Sequence, residues 1–107
     1  VTTEELESVL SGLPGAEWIG PGLSELSSGQ ETVGSLLVAI AATRLRRAGL
    51  PVESAVTDAE LRLYHLLLQQ EGSREDAYRE YNALIDRLVR FTAALEQRLA
   101  RRSSPLA

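Results

Sequence analysis

From Tyr78 to Leu99 the chain repeats its apolar and weakly polar positions in alternating steps of three and four: Tyr78, Tyr81, Ile85, Leu88, Thr92, Leu95 and Leu99. That is the a/d spacing of a heptad, and Ala77, Leu84 and Phe91 widen the seam to the stripe of a bundle helix. Ser73 with Asp76 opens the segment, so the pattern predicts one long helix from Arg74 to about Arg102. Upstream, Thr57 with Glu60 fits a capping box ahead of a helix that ends near Glu71, where Gly72 stops it.

Three further segments are read in the same way. Thr2 with Glu5 forms a first capping box, followed by Leu6, Val9 and Leu10 on one face of a short helix, about Glu4 to Ser11. Gly12, Pro14, Gly15, Gly20, Pro21 and Gly22 then predict a loop, with Trp18 anchoring it into the core and Leu23 to Ser28 forming a turn or two of helix. Ser28 with Glu31 predicts the start of a helix that runs to about Ala48 and ends at Gly49, Leu50 and Pro51. Between Val33 and Ala42 that helix is apolar almost all round, as expected of the most buried element, and Gly34, Ser35, Ala39, Ala41 and Ala42 allow a neighbour to approach closely. A buried strand over Leu36 to Ile40 is the rival reading, but no second strand exists for it to pair with.

These elements predict an all-α fold: a small helical bundle of four to five helices with a long C-terminal helix. We expect a single helical domain over residues 1–102 and a frayed tail over 103–107. A length of 107 residues allows one domain, and 44% hydrophobic with 24% charged residues is an ordinary balance for a folded one. The longest apolar run, Leu36 to Ala42, is too short to span a bilayer, and no secretory signal is read at the start. Cysteine is absent, which removes disulfides, thiolate ligands and thiol nucleophiles together. The expected setting is cytoplasmic and bacterial in character. All eleven basic residues are arginine, and the missing lysine fits a GC-rich codon bias better than selection at one site.

Charge changes the picture more than composition does. The net charge is −4, but the first 43 residues hold six acids and no base, while the remainder holds eleven arginines against nine acids. Arg44, Arg46 and Arg47 cluster at one helix end and Arg98, Arg101 and Arg102 at another. Arginines at C-terminal ends cap carbonyls and complement the macrodipole, which explains both groups; contact with a phosphate or nucleic acid through Arg44, Arg46 and Arg47 is the sharper alternative.

Catalytic chemistry finds little support. His65 is the only histidine, and its helical neighbours Leu61, Arg62, Leu68 and Gln69 offer no carboxylate to orient the ring. It reads as a packing residue rather than a general base. No metal-ligand spacing, nucleophile elbow or phosphate loop is present, so no cofactor or metal is expected. An enzyme or small-ligand binder around His65, Tyr64, Tyr78 and Tyr81 is the least favoured function.

The leading expectation is a non-catalytic helical protein–protein interaction or assembly module, homodimeric; a nucleic-acid-associated regulator using the arginine clusters is the alternative. The dimer follows from dimensions. A helix from Arg74 to Arg102 is ~43 Å long, against ~34 Å for the diameter of a spherical monomer of this size. Its stripe continues to Leu95 and Leu99, so Ile85, Leu88, Phe91, Leu95 and Leu99 are expected to pack against a second chain. The competing solution folds the short N-terminal helix back over them.

Overall fold

The capping and periodicity signals resolve into five complete helices: α1 (Ala16–Ser27), α2 (Val33–Ile40), α3 (Ala42–Arg47), α4 (Ala59–Glu71) and α5 (Arg74–Ser103). The computed structural model describes residues 8–50, 52 and 56–103, with the backbone alone for residues 102 and 103. Residues 8–10 carry helical backbone ahead of α1, and no strand occurs among the described residues, so the fold is all-α. The Thr2–Glu5 box and the tail beyond residue 103 lie outside the described residues.

The segment expected to be a loop is instead mostly α1. Gly15 (φ 87°) carries the chain into a helix that contains Gly20, Pro21 and Gly22. Pro21 has no amide for the Glu17 carbonyl, and a proline also crowds the Cβ of the residue before it in helical conformation. Gly20 has no Cβ to crowd. The decisive contact lies one residue later, where a methyl at Gly22 would sit 2.4 Å from the Gly34 carbonyl oxygen and one at Gly34 would sit 2.7 Å from the Trp18 carbonyl oxygen. Two glycines thus let α1 and α2 touch backbone to backbone. The close approach buries Ile19, Leu23 and Leu26 of α1 together with Leu36, Leu37 and Val38 of α2.

Helix α1 ends in a Schellman turn, with the Gly29 amide donating to the Leu26 carbonyl and the Gln30 amide to the Glu25 carbonyl. Ser28 is therefore occupied as the C-cap of α1, and the expected Ser28–Glu31 box does not form. Thr32 caps α2 instead. Its hydroxyl accepts from the Ser35 amide at 3.0 Å while the Ser35 hydroxyl accepts from the Thr32 amide at 2.8 Å. The Thr32 hydroxyl also donates to Glu25 Oε1 at 2.8 Å, tying this cap back to α1. The single helix expected from here to Ala48 is divided at Ala41 (φ −92°, ψ 10°) into α2 and α3, and nothing in the structure explains the break at that residue. Gly49 (φ 97°) ends α3 in a second Schellman turn, as its sequence predicts.

Helix α4 runs to Glu71 and stops at Gly72 (φ 81°) as expected, but its start differs. Asp58, not Thr57, is the N-cap, in left-handed conformation (φ 57°) and without a side-chain capping bond. The Thr57 carbonyl instead accepts from Arg62 Nε at 3.0 Å. At α5 the expected cap is present, with the Asp76 amide donating to the Ser73 hydroxyl at 3.2 Å.

Helix α2 is the hub: α1 covers one side and α4 another, with Leu63 and Leu67 of α4 fully buried. Helix α5 packs antiparallel to α4. At 30 residues it is ~45 Å long, and it runs the length of a molecule measuring 51 × 25 × 20 Å. The rest of the chain spreads along this helix instead of rounding up against one end. That corrects the dimension argument, because Leu88, Phe91 and Leu95 are all buried within one chain. Leu10 and Leu13 share their core cluster, and Arg98 ties the segment at residues 9–11 to α5. Residues 9–11 are thus held against the distal part of α5.

Replacing Gly22 with alanine should lower the unfolding free energy by ~1–3 kcal/mol or more, because the new methyl meets backbone that has no rotamer to yield. Ser24→Ala, on the exposed side of the same helix, should stay within ~0.5 kcal/mol of wild type. Urea unfolding followed by circular dichroism reads both, and equal effects would show that the glycine contact is not what holds α1 on α2.

Candidate functional site

Each arginine of the α3 cluster has its own environment. Arg44 reaches across to α5, where its Nε donates to Glu96 Oε1 at 2.9 Å and its Nη2 donates to the same oxygen. Arg46 Nε donates to the Val52 carbonyl at 2.7 Å, holding the chain as it leaves α3. Arg47 is exposed beside an open depression of about 620 Å³ lined also by Arg44, Ala48, Glu96 and Leu99. The cluster is therefore not three convergent donors. At the far end of α5, Arg98 Nη1 donates to the Val9 carbonyl at 2.8 Å and to the Ser11 carbonyl. The expected helix-end capping by arginine is realised here, but on a different helix from the one carrying the arginine.

His65 is exposed on α4, its ring 6.2 Å from that of Tyr64. Beside it lies a shallow depression of about 230 Å³ lined by Glu31, Arg62, Leu66 and Gln69. Glu31, from the α1–α2 connection, is the carboxylate that neighbours in sequence did not offer, and its Oε2 lies 3.6 Å from Arg62 Nη1. Tyr64 meets Tyr81 edge to face, with ring centroids 6.3 Å apart. Burial, with the negative charge of Glu60 added, holds the Tyr81 phenol above its usual pKa. Among the described residues no three His, Asp or Glu side chains gather to hold a metal ion. No helix among them is long and apolar enough to cross a membrane.

Trp18 is half-buried and packs on the core from within α1, beside Ile19, Leu37, Leu88 and Phe91. Its indole Nε1 is buried and has no hydrogen-bond partner.

Of the five residues expected at a subunit interface, Leu88, Phe91 and Leu95 belong to the monomer core, and Ile85 and Leu99 are half-buried at its edge. The burial stripe of α5 is turned slightly from the predicted seam and centres on Ala77, Leu84, Leu88, Phe91 and Leu95. Tyr78, read from sequence as a seam residue, is consequently turned outward and is 62% exposed.

That rotation creates a surface the sequence pattern does not show. Leu61, Tyr78 and Val89, 54%, 62% and 54% exposed, are the large hydrophobics exposed among the described residues, and all three lie on the α4–α5 hairpin. On α5, Tyr78, Asn82, Ile85 and Val89 follow steps of four, three and four and so share one face. The Tyr64–Tyr81 ring contact joins α4 and α5 at this level of the hairpin. Tyr78, Ile85 and Val89 thus form an apolar strip ~16 Å long on α5, with half-buried Tyr64, Leu68 and Tyr81 and exposed Leu61 on the same hairpin. Charged residues border it: Glu75, Arg79, Asp86 and Arg90 on the side of α5 away from α4.

Comparison of the chain with protein-family models, curated proteins and solved structures returns no match.

The arginine contacts separate structural from idle positions. Arg98→Gln should cost ~1–2 kcal/mol of stability, since two carbonyls of the N-terminal segment lose a charged donor. Arg47→Gln should stay within ~0.5 kcal/mol. Thermal and urea unfolding compare the two, and a large loss at Arg47 would show that it has a structural partner.

Proposed function

We propose that this chain acts by association, as a helical protein–protein interaction or assembly module whose binding surface is the outer face of the α4–α5 hairpin. The observation that carries this reading is the apolar strip of Tyr78, Ile85 and Val89 on α5, with exposed Leu61 on the same hairpin. Single exposed hydrophobics are ordinary, whereas a connected patch with a charged rim has the composition of a recognition surface. Tyrosine at its edge adds broad contact area with few rotatable bonds.

Arginine-based nucleic-acid binding has less behind it. Arg44 is neutralised by Glu96, Arg46 holds a backbone carbonyl, and Arg98 caps the N-terminal segment. No row of free cations remains among them to follow a phosphate backbone.

The test pairs a fold measurement with a contact measurement. Tyr78→Asp with Val89→Asp should leave the thermal midpoint and the helical circular dichroism nearly unchanged, because both side chains are more than half exposed. A photo-crosslinking amino acid at Val89 should yield a polypeptide adduct in the source cell, and the same group at Ser24 on α1 should not. An absence of adducts from both Val89 and Tyr78, with the protein folded and expressed, would overturn the proposed function.

A further inference from the structure

Building on the reading of this face as a docking surface, we infer that its occupant is a second copy of the chain, held by α5 lying antiparallel to α5 about a two-fold axis near Asn82. The order of residues along the face is self-complementary. Read backwards against itself, the stripe sets Tyr78 of one copy near Val89 of the other and Asn82 near Ile85. The charged border reverses with opposite sign: Glu75 of one copy meets Arg90 of the other, and Arg79 meets Asp86.

In an antiparallel two-fold pair each border of a helix faces the same border of its mate, so these four positions do face one another. A parallel two-fold pair would set this charged border against the opposite border of the mate, the side on which α4 lies, and leave the four charges without partners there. The charge order therefore selects the antiparallel form. The α4 edges carrying Leu61 and Leu68 fall along the other border and extend the apolar contact.

The residues involved are available. Arg79 pairs with Asp76 at 3.1 Å and Arg90 with Asp86 at 3.1 Å within each chain, yet all four side chains remain more than half exposed. A second copy adds to these pairs without breaking them, placing Asp86 between its own Arg90 and the other copy's Arg79. Asn82 near the axis is a polar residue in the middle of an apolar stripe, a device that fixes register in paired helices. The hairpin face, roughly 20 Å wide and ~22 Å long from Glu75 to Arg90, buries on the order of 1,000 Å² in total, the lower end of specific interfaces. Dimerisation is accordingly of micromolar strength or weaker, with the apolar strip supplying affinity and the charges supplying register.

Sedimentation equilibrium of the full chain, from about 1 µM to 1 mM, tests the inference through a charge swap. Wild type should pass from monomer to dimer within this range. Arg79→Glu alone sets Glu against Asp86, and Asp86→Arg alone sets Arg against Arg79; each should weaken dimerisation by about fivefold or more, since two pairs are lost per dimer. The double variant restores opposite charges and should return to within about twofold of wild type, with circular dichroism confirming that all three variants are folded. A dimer that the swap does not rescue would overturn the antiparallel register. Wild type remaining monomeric at 1 mM would overturn self-association altogether, while adducts from Val89 to another polypeptide would still leave the docking surface standing.

Discussion

The contact between Gly22 and Gly34 is the constraint on which the packing of this chain depends. Backbone approaches backbone there, and no side chain larger than hydrogen fits at either position. Because α1 and α2 meet so closely, Ile19, Leu23 and Leu26 reach across to Leu36, Leu37 and Val38. The Thr32 cap hydrogen-bonds Glu25 of α1, so the same crossing is secured at its polar edge. Helix α2, fixed against α1, then presents its remaining surface to α4, and the antiparallel hairpin follows from Gly72 and Ser73. A helix containing Gly20, Pro21 and Gly22 is poor on local propensity. It persists because dispersion and burial at this crossing outweigh the weak local preference.

Legibility from sequence tracked how local each cause was. Helices α4 and α5 were readable because Gly72, the Ser73–Asp76 cap and the three–four spacing are all short-range features. The all-α class followed from them. Helix α1 was hidden, since its stability comes from Gly34, twelve residues beyond Gly22 in sequence. Ser28 looked like a cap for the same reason: its role at the end of α1 shows only once α1 is known to be a helix. At Thr32 the reciprocal partner is Ser35, a shorter side chain than the Glu or Gln of the usual box, so the sequence pattern of that box does not mark the pair.

Functional reading was limited in a related way. Runs of charge show which residues are near in sequence, not which partners they meet. Arg44 finds Glu96 and Arg98 finds the Val9 and Ser11 carbonyls, separations of 52, 89 and 87 residues. The interface expectation rested on a spherical monomer, whereas this chain measures 51 × 25 × 20 Å and buries Leu88, Phe91 and Leu95 within itself. The exposed strip is not legible in the sequence, because a modest rotation of α5 exchanges which of Ala77 and Tyr78 faces the core, and a seam with apolar residues on both flanks does not fix that angle.

What the strip contributes to a single chain is small, and this bears on why it matters. A side chain more than half exposed has gained only part of the ~25 cal/mol per Å² that burial provides. Leu61, Tyr78 and Val89 are in that position, so polar residues there would leave the monomer core intact. The hairpin itself is held from beneath by Leu63, Leu67, Leu84 and Leu88, and from within by the Tyr64–Tyr81 edge contact. Any further stabilisation from the three outward residues requires water to be removed from them by something outside the chain. The charged border makes the same point independently, because Asp76–Arg79 and Asp86–Arg90 are exposed pairs worth little to folding. An apolar strip and an ordered row of charges, each nearly idle in the monomer, lie side by side on one face of one hairpin, and the association proposed above would give both energetic weight.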